Sequence, residues 1–77
     1  MTRDEWKITF GDNLSGLLHD IRMSQNELAK LSDLSPGMIS DYINGWSAPS
    51  VFALNNIAHV LDIDVDELVD VGDEIDD

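Results

Sequence analysis

Apolar residues recur along the chain at helical spacing, and nowhere do they alternate with polar ones for long enough to suggest a strand. Phe10, Leu14, Leu17, Leu18 and Ile21 lay one stripe along a first helix, for which Thr9 is the candidate N-cap, with Asp12 three residues on. Ser24-Gln25-Asn26-Glu27 reads as a capping box, opening a short second helix with Leu28, Ala29 and Leu31 inward. Asp33-Leu34-Ser35-Pro36 then breaks the periodicity. Asp tolerates a left-handed backbone, Ser35 is a good N-cap, and Pro36 suits a first helical position where an N–H is not needed. A third helix runs from there to about Asn44, with Ile39, Tyr42 and Ile43 inward, and Asn44-Gly45 ends it. Pro49-Ser50 opens a fourth, with the stripe Val51, Leu54, Ile57, Ala58 and Leu61. Asp64-Val65-Asp66-Glu67 is a further capping box, starting a last short turn around Leu68. The expectation is an all-α domain of five helices over residues 9–69, with an N-terminal arm at 1–8 and an acidic flexible tail at 70–77. No internal repeat or inter-domain linker interrupts it.

Composition narrows the class. A 77-residue chain buries roughly 60 % of its unfolded surface, so each apolar side chain counts. An apolar fraction of 43 % is ordinary for a globular protein and too high for a disordered one. The absence of cysteine excludes a disulfide framework and Cys-based zinc sites. No apolar run reaches the ~18 residues of a membrane span, and residues 1–7 lack a signal-peptide core, so a soluble, cytoplasmic protein without membrane partners is expected. The net charge of −12 is unusual, and it is unevenly spread. Residues 62–77 hold nine acids and no base, whereas residues 1–61 hold seven acids and four bases. A field of that sign repels nucleic acid and anionic membranes, but most of the repulsion belongs to the tail.

Little in the chain supports catalysis or metal binding. Asp62, Asp64 and Asp66 alternate like the start of a calcium loop, but Glu67 stands where the loop needs Gly and Asp73 where it needs Glu. His19 and His59 lack matched spacing and read as solvated helix-face residues. Trp6 and Trp46 read as packing or edge aromatics. No nucleophile–base–orienter set or phosphate-cradling loop is present, so neither an enzyme nor a cofactor is expected.

Residues 23–45, MSQNELAKLSDLSPGMISDYING, closely resemble the lambda-repressor-like helix-turn-helix family (Cro/cI type, also called XRE). The matching residues are Gln25 opening the second helix, Ala29 four later, Leu34 in the turn, Ile39-Ser40 within the third helix and Asn44-Gly45 closing it. The flanks agree: Phe10-Gly11 and Leu14 before, Pro49-Ser50, Leu54, Ile57-Ala58, Leu61 and Asp66-Glu67-Leu68 after. The resemblance spans about residues 10–69. A physical logic stands beside it. Ala29 must be small where the third helix crosses the second, and Leu34 and Ile39 fill the wedge between them, giving a rigid pair that can place one helix in a major groove.

The resemblance implies that Gln25, with Ser35 at the next helix start, stands by backbone phosphate, where free amides and the helix dipole favour anions. It implies that Gly37, Met38, Ser40 and Asp41 face bases, and that Asn44 and the Trp46-Ser47 loop lie near phosphate. Met38 suits a thymine methyl and Asp41 a cytosine amino group. Against the family pattern, Asp33 replaces the usual turn Gly, Pro36 and Gly37 replace longer polar residues, and the third helix has no Lys or Arg. The function implied is a DNA-binding transcriptional regulator, repressor-like and of phage or mobile-element kind. It would act as a homodimer on a symmetric double-stranded operator. The rival is an acidic protein-binding module, an anti-repressor or DNA mimic, that keeps the scaffold and meets a basic protein partner instead. The tail suggests autoinhibition by competition with DNA.

Overall fold

The computed structural model describes residues 2–69 as five helices: α1 Arg3–Ile21, α2 Gln25–Ser32, α3 Pro36–Ile43, α4 Val51–Leu61 and α5 Val65–Leu68. No strand occurs among the described residues, in agreement with the all-α expectation. The proposed tail, residues 70–77, lies outside the described residues.

Helix α1 begins earlier than Thr9. Thr2, Arg3, Asp4 and Glu5 form a full capping box: the Glu5 amide donates to Thr2 Oγ1 at 3.1 Å, and the Thr2 amide donates to Glu5 Oε1 at 2.8 Å. These bonds, the Thr2 backbone amide foremost, hold the Glu5 carboxyl below its ordinary range. Thr9 is therefore interior to the helix, its hydroxyl donating to the Glu5 carbonyl at 2.9 Å. The segment expected as an arm is helical from Arg3 onward, which corrects that boundary.

Helices α2, α3 and α4 open as their sequences predict. Ser24, Ser35 and Ser50 each accept from the amide three residues on, at 3.0, 3.0 and 3.1 Å, and Glu27 completes the Ser24 box. The box expected at Asp64 does not form. Glu67 and Leu68 donate instead to the Asp64 carbonyl, and the single turn is anchored by the fully buried Leu68. Helices α1, α2 and α4 all end on a left-handed residue that is not glycine, Arg22, Asp33 and Asp62, each at φ 59°. The amides of Met23, Leu34 and Ile63 then reach back to Leu18, Ala29 and Ala58 carbonyls, closing the last turns.

Every helix contributes to one core: Phe10, Leu14 and Leu18; Leu28 and Ala29; Ile39 and Tyr42; Ala53, Ile57 and Ala58; and Leu68. Helix α1 packs on α3 and α5, α2 on α3 and α4, and α4 on α5. Three expected inward residues point out. Leu31 is exposed because α2 turns Leu28, Ala29 and Ser32 inward, and Ser32 sits one turn along the Leu28 line. Val51 is exposed because α4 is seated on Ala53 and Ile57, and position 51 falls on the opposite face from 53. Ile21, at the last turn of α1, is likewise half exposed. The buried Ser32 hydroxyl is satisfied by the Leu28 carbonyl at 2.6 Å. Its own carbonyl accepts from Asn56 Nδ2 at 3.0 Å, tying the end of α2 to α4.

Candidate nucleic-acid interface

Helices α2 and α3 form a pair joined by Asp33, Leu34 and Ser35. Three features fix α3 in place. Ala29 is buried on α2, which packs on α3, and its small side chain lets the axes approach. Ile39 is fully buried and Leu34 packs beside the core, filling the wedge. On the other side, Gly11 of α1 lies directly against the Tyr42 and Ile43 carbonyls at the end of α3. The inward face of α3 is thus held from two directions, and its outward face is unpacked.

On that outward face the structure places Gly37, Met38 and Asn44 exposed, with Ser40 and Asp41 half-buried. Met38 is 39 % exposed. Gly37 opens onto free space: a β-carbon there would meet only Ser35 Oγ, at 3.9 Å. Ser35 is exposed, but its hydroxyl accepts from the Met38 amide, so it holds the helix start. Ser40 and Asn44 are brought together. Asn44 Nδ2 donates to the Ser40 carbonyl at 2.9 Å and to Ser40 Oγ at 3.3 Å. The Ser40 hydroxyl keeps its own hydrogen to donate, while the Asn44 amide nitrogen is committed to α3 itself.

Gln25 is exposed at the first turn of α2, apart from the α3 residues. It lines a shallow groove of about 290 Å³ with Ser15, His19, Ser24 and Ile43, so the start of α2 and the end of α3 border the same surface. In the first turns of α2 and α3 the Glu27 and Met38 amides donate to Ser24 and Ser35 Oγ, which leaves the earlier amides of each turn without an intrahelical acceptor. Charge near them is mixed. Glu27 is engaged by the Ser24 amide, Asp33 caps α2, Lys30 lies in its last turn, and Arg22 caps α1 just before it. Burial pushes the Tyr42 phenol up from its ordinary range, and the neighbouring Asp41 carboxylate adds to that shift.

Three positioning features were not read from the residues themselves, although Gly11 appears among the flanking matches to the family. Gly11 carries no local signal for its close approach. The Ser32–Asn56 tie spans 24 residues, although an Asn inside an apolar helix is a hint of a buried partner. Arg22 as a cap was hidden because no glycine marks the turn. Trp6, half-buried, stacks on Phe10 with ring centroids 5.2 Å apart, as a packing aromatic, whereas Trp46 is exposed. Among the described residues no three His, Asp or Glu gather as a metal site, and no helix is long and apolar enough to cross a membrane.

A helix-turn-helix family model (HTH_3) matches residues 21–68. Among solved structures, the clp gene regulator ClgR from Corynebacterium glutamicum superposes with a TM-score of 0.79 at 26 % identity, covering 86 % of this chain and 70 % of that one. The restriction-modification controller protein C.AhdI from Aeromonas hydrophila gives a TM-score of 0.78 at 31 % identity, covering 80 % of this chain and 94 % of that one. An HTH_3 family transcriptional regulator from Vibrio cholerae gives 0.81 at 24 % identity, covering 87 % of this chain but 38 % of that one, a likeness of fold alone. No curated protein matches the chain.

Proposed function

The chain belongs to the helix-turn-helix (HTH_3) family, and from that premise we propose that it is a sequence-specific DNA-binding transcriptional regulator. It acts in the cytoplasm as a repressor, as a homodimer on a symmetric operator. The observation that carries the reading is the two-faced α3: Ile39 and Tyr42 buried on one side, Gly37, Met38 and Asn44 exposed on the other. A helix held that rigidly enters a major groove without reordering, so binding costs little conformational entropy. Gln25 and the amides at the starts of α2 and α3 meet phosphate. Met38 takes a thymine methyl, Ser40 donates to a purine or thymine acceptor, and Asp41 accepts from a cytosine amino group. Half-sites then lie about one helical turn, ~34 Å, apart.

Selection of binding sites from a random DNA pool at low ionic strength tests this. Enrichment of a short two-fold symmetric sequence supports it, and no enrichment over the unselected pool rejects it. One observation favours a second reading, a module that binds a basic protein partner: α3 has no Lys or Arg, and Asp41 lies on it. Under that reading the same selection enriches nothing.

A further inference from the structure

The groove bordered by the start of α2 and the end of α3 has a further wall, the last turns of α1, and His19 stands on it. His19 is exposed and lines the groove with Ser15, Ser24, Gln25 and Ile43. No lining residue of this groove is acidic. Three other grooves of the described residues differ in that respect: Asp12, Asp20 and Glu67 line one, Asp62, Asp64 and Glu67 another, and Asp33 a third. In a chain of net charge −12, a hollow whose walls hold no carboxylate is where an anion meets least repulsion. Its walls also supply donors: the His19 imidazole, the Ser15 hydroxyl and the Gln25 side-chain amide. The Gln25 and Asn26 backbone amides stand at the same place, ahead of the Glu27 amide that Ser24 engages.

We propose that His19 is a DNA-backbone contact, its protonated imidazole binding phosphate next to Gln25 and supplying a positive charge that α3 lacks. The inference rests on the DNA-binding reading above, and adds to it a residue and a dependence on pH. No carboxylate among the described residues pairs with His19. On α1, the adjacent Asp20 lines the groove of Asp12 and Glu67 instead, and Arg22 follows as the left-handed cap. On α2, the Glu27 carboxylate is engaged by the Ser24 amide, and α3 contributes the uncharged Ile43 to the groove. A phosphate brought beside an imidazole favours its charged form, so binding takes up a proton and affinity rises as pH falls. His59, the other imidazole, lines grooves that hold Asp62, Asp64 and Glu67 or Asp33, and so gains no such contact.

Fluorescence anisotropy of the full chain between about pH 6 and pH 8 tests this, with the selected operator and with a duplex of unrelated sequence at low salt. The variants are His19→Gln and His19→Lys, matched by His59→Gln and His59→Lys. Both histidines are exposed in the last turn of a helix, where a cation suits the dipole, and circular dichroism checks that the fold is kept. The wild type should bind both duplexes at least about threefold more tightly at the acid end of the range. H19Q should lose that response. H19K should bind at the alkaline end about as tightly as the wild type does at the acid end, with a salt slope steeper by about 0.9 per chain. H59Q and H59K should leave both quantities as they are in the wild type. A pH response that survives in H19Q, or that H59Q abolishes, overturns the proposal, as does an H59K that gains as much as H19K. The two readings fail separately. A chain that selects an operator with an affinity indifferent to H19Q and H19K loses only this contact. One that holds the unrelated duplex through His19 while selection enriches nothing loses only the sequence-specific reading, and one that binds neither duplex loses both.

Discussion

Gly11 of α1 rests on the carbonyl oxygen of Tyr42, so close that a β-carbon at position 11 would overlap it. The Ile43 carbonyl oxygen would lie only 2.5 Å from the same carbon. Both obstacles are backbone atoms at the end of α3, and neither can rotate away. This contact sets how near α1 lies to α3, and therefore how the outward face of α3 is presented. Gly11→Ala should destabilise the fold by about 2–3 kcal/mol, because the helices must part to admit one methyl. Urea unfolding followed by circular dichroism measures it. A loss below about 0.5 kcal/mol would mean the crossing relaxes freely.

Asp33 occupies a left-handed position at the end of α2, as Arg22 and Asp62 do at the ends of α1 and α4. A β-carbon there costs roughly 1–2 kcal/mol, partly recovered because glycine is freer in the unfolded chain. Asp33→Gly should therefore stabilise by about 0.5–1 kcal/mol in the same urea assay. No gain, or a loss, would show that the Asp33 side chain supports the turn in a way its geometry does not reveal.

Alkaline pH should destabilise the fold through Tyr42. Its phenol is raised by burial first and by Asp41 second. The unfolded chain releases that proton from about pH 10, while the folded chain retains it, so stability is complete below pH 10 and falls as pH rises through the folded value. Tyr42→Phe should flatten that limb of the stability–pH curve. An unchanged slope would assign the alkaline loss to other groups.

How much of this was legible beforehand follows from how local each cause is. The caps at Ser24, Ser35 and Ser50 depend on residues within one turn, so the three-residue spacing revealed them. The same rule applied to Thr2-Arg3-Asp4-Glu5, but the apolar stripe beginning at Phe10 drew the helix start to Thr9. Leu31 and Val51 read as core because periodicity fixes which residues share a face, not which face the neighbouring helices cover. The Ser40–Asn44 pair, one turn apart, was within reach of sequence reasoning. The Asn56 bond to Ser32 was not, because nothing local brings α4 to the end of α2. Of the α3 residues, Gly37, Met38 and Asn44 are exposed, and Ser40 and Asp41 are half covered.

The DNA reading predicts a shallow salt dependence. The chain has four Lys and Arg, so a dimer has eight, and log K should fall with log salt no more steeply than about −7. Gly37→Arg adds a cation where space is open, and should steepen that slope by about 0.9 per phosphate newly neutralised while raising affinity. Fluorescence anisotropy with a labelled operator across a salt series reads both. A wild-type slope well beyond −7 would require contacts other than these side chains.

Residues 70–77 carry five acids and no base, which opposes any approach of DNA. Their removal should tighten operator binding, most strongly at low salt where screening is weakest. Equal affinity of the full and shortened chains at every ionic strength would reject autoinhibition by this segment.

The account stands on α3 presenting its free face to a duplex. Amide chemical shifts of the full chain, followed by NMR as the selected operator is added, test that most directly. Gly37, Met38, Asp41 and Gln25 should move together and saturate at one chain per half-site, with Leu31 and His59 unmoved. Shifts centred anywhere else, or none at saturating duplex, would contradict it.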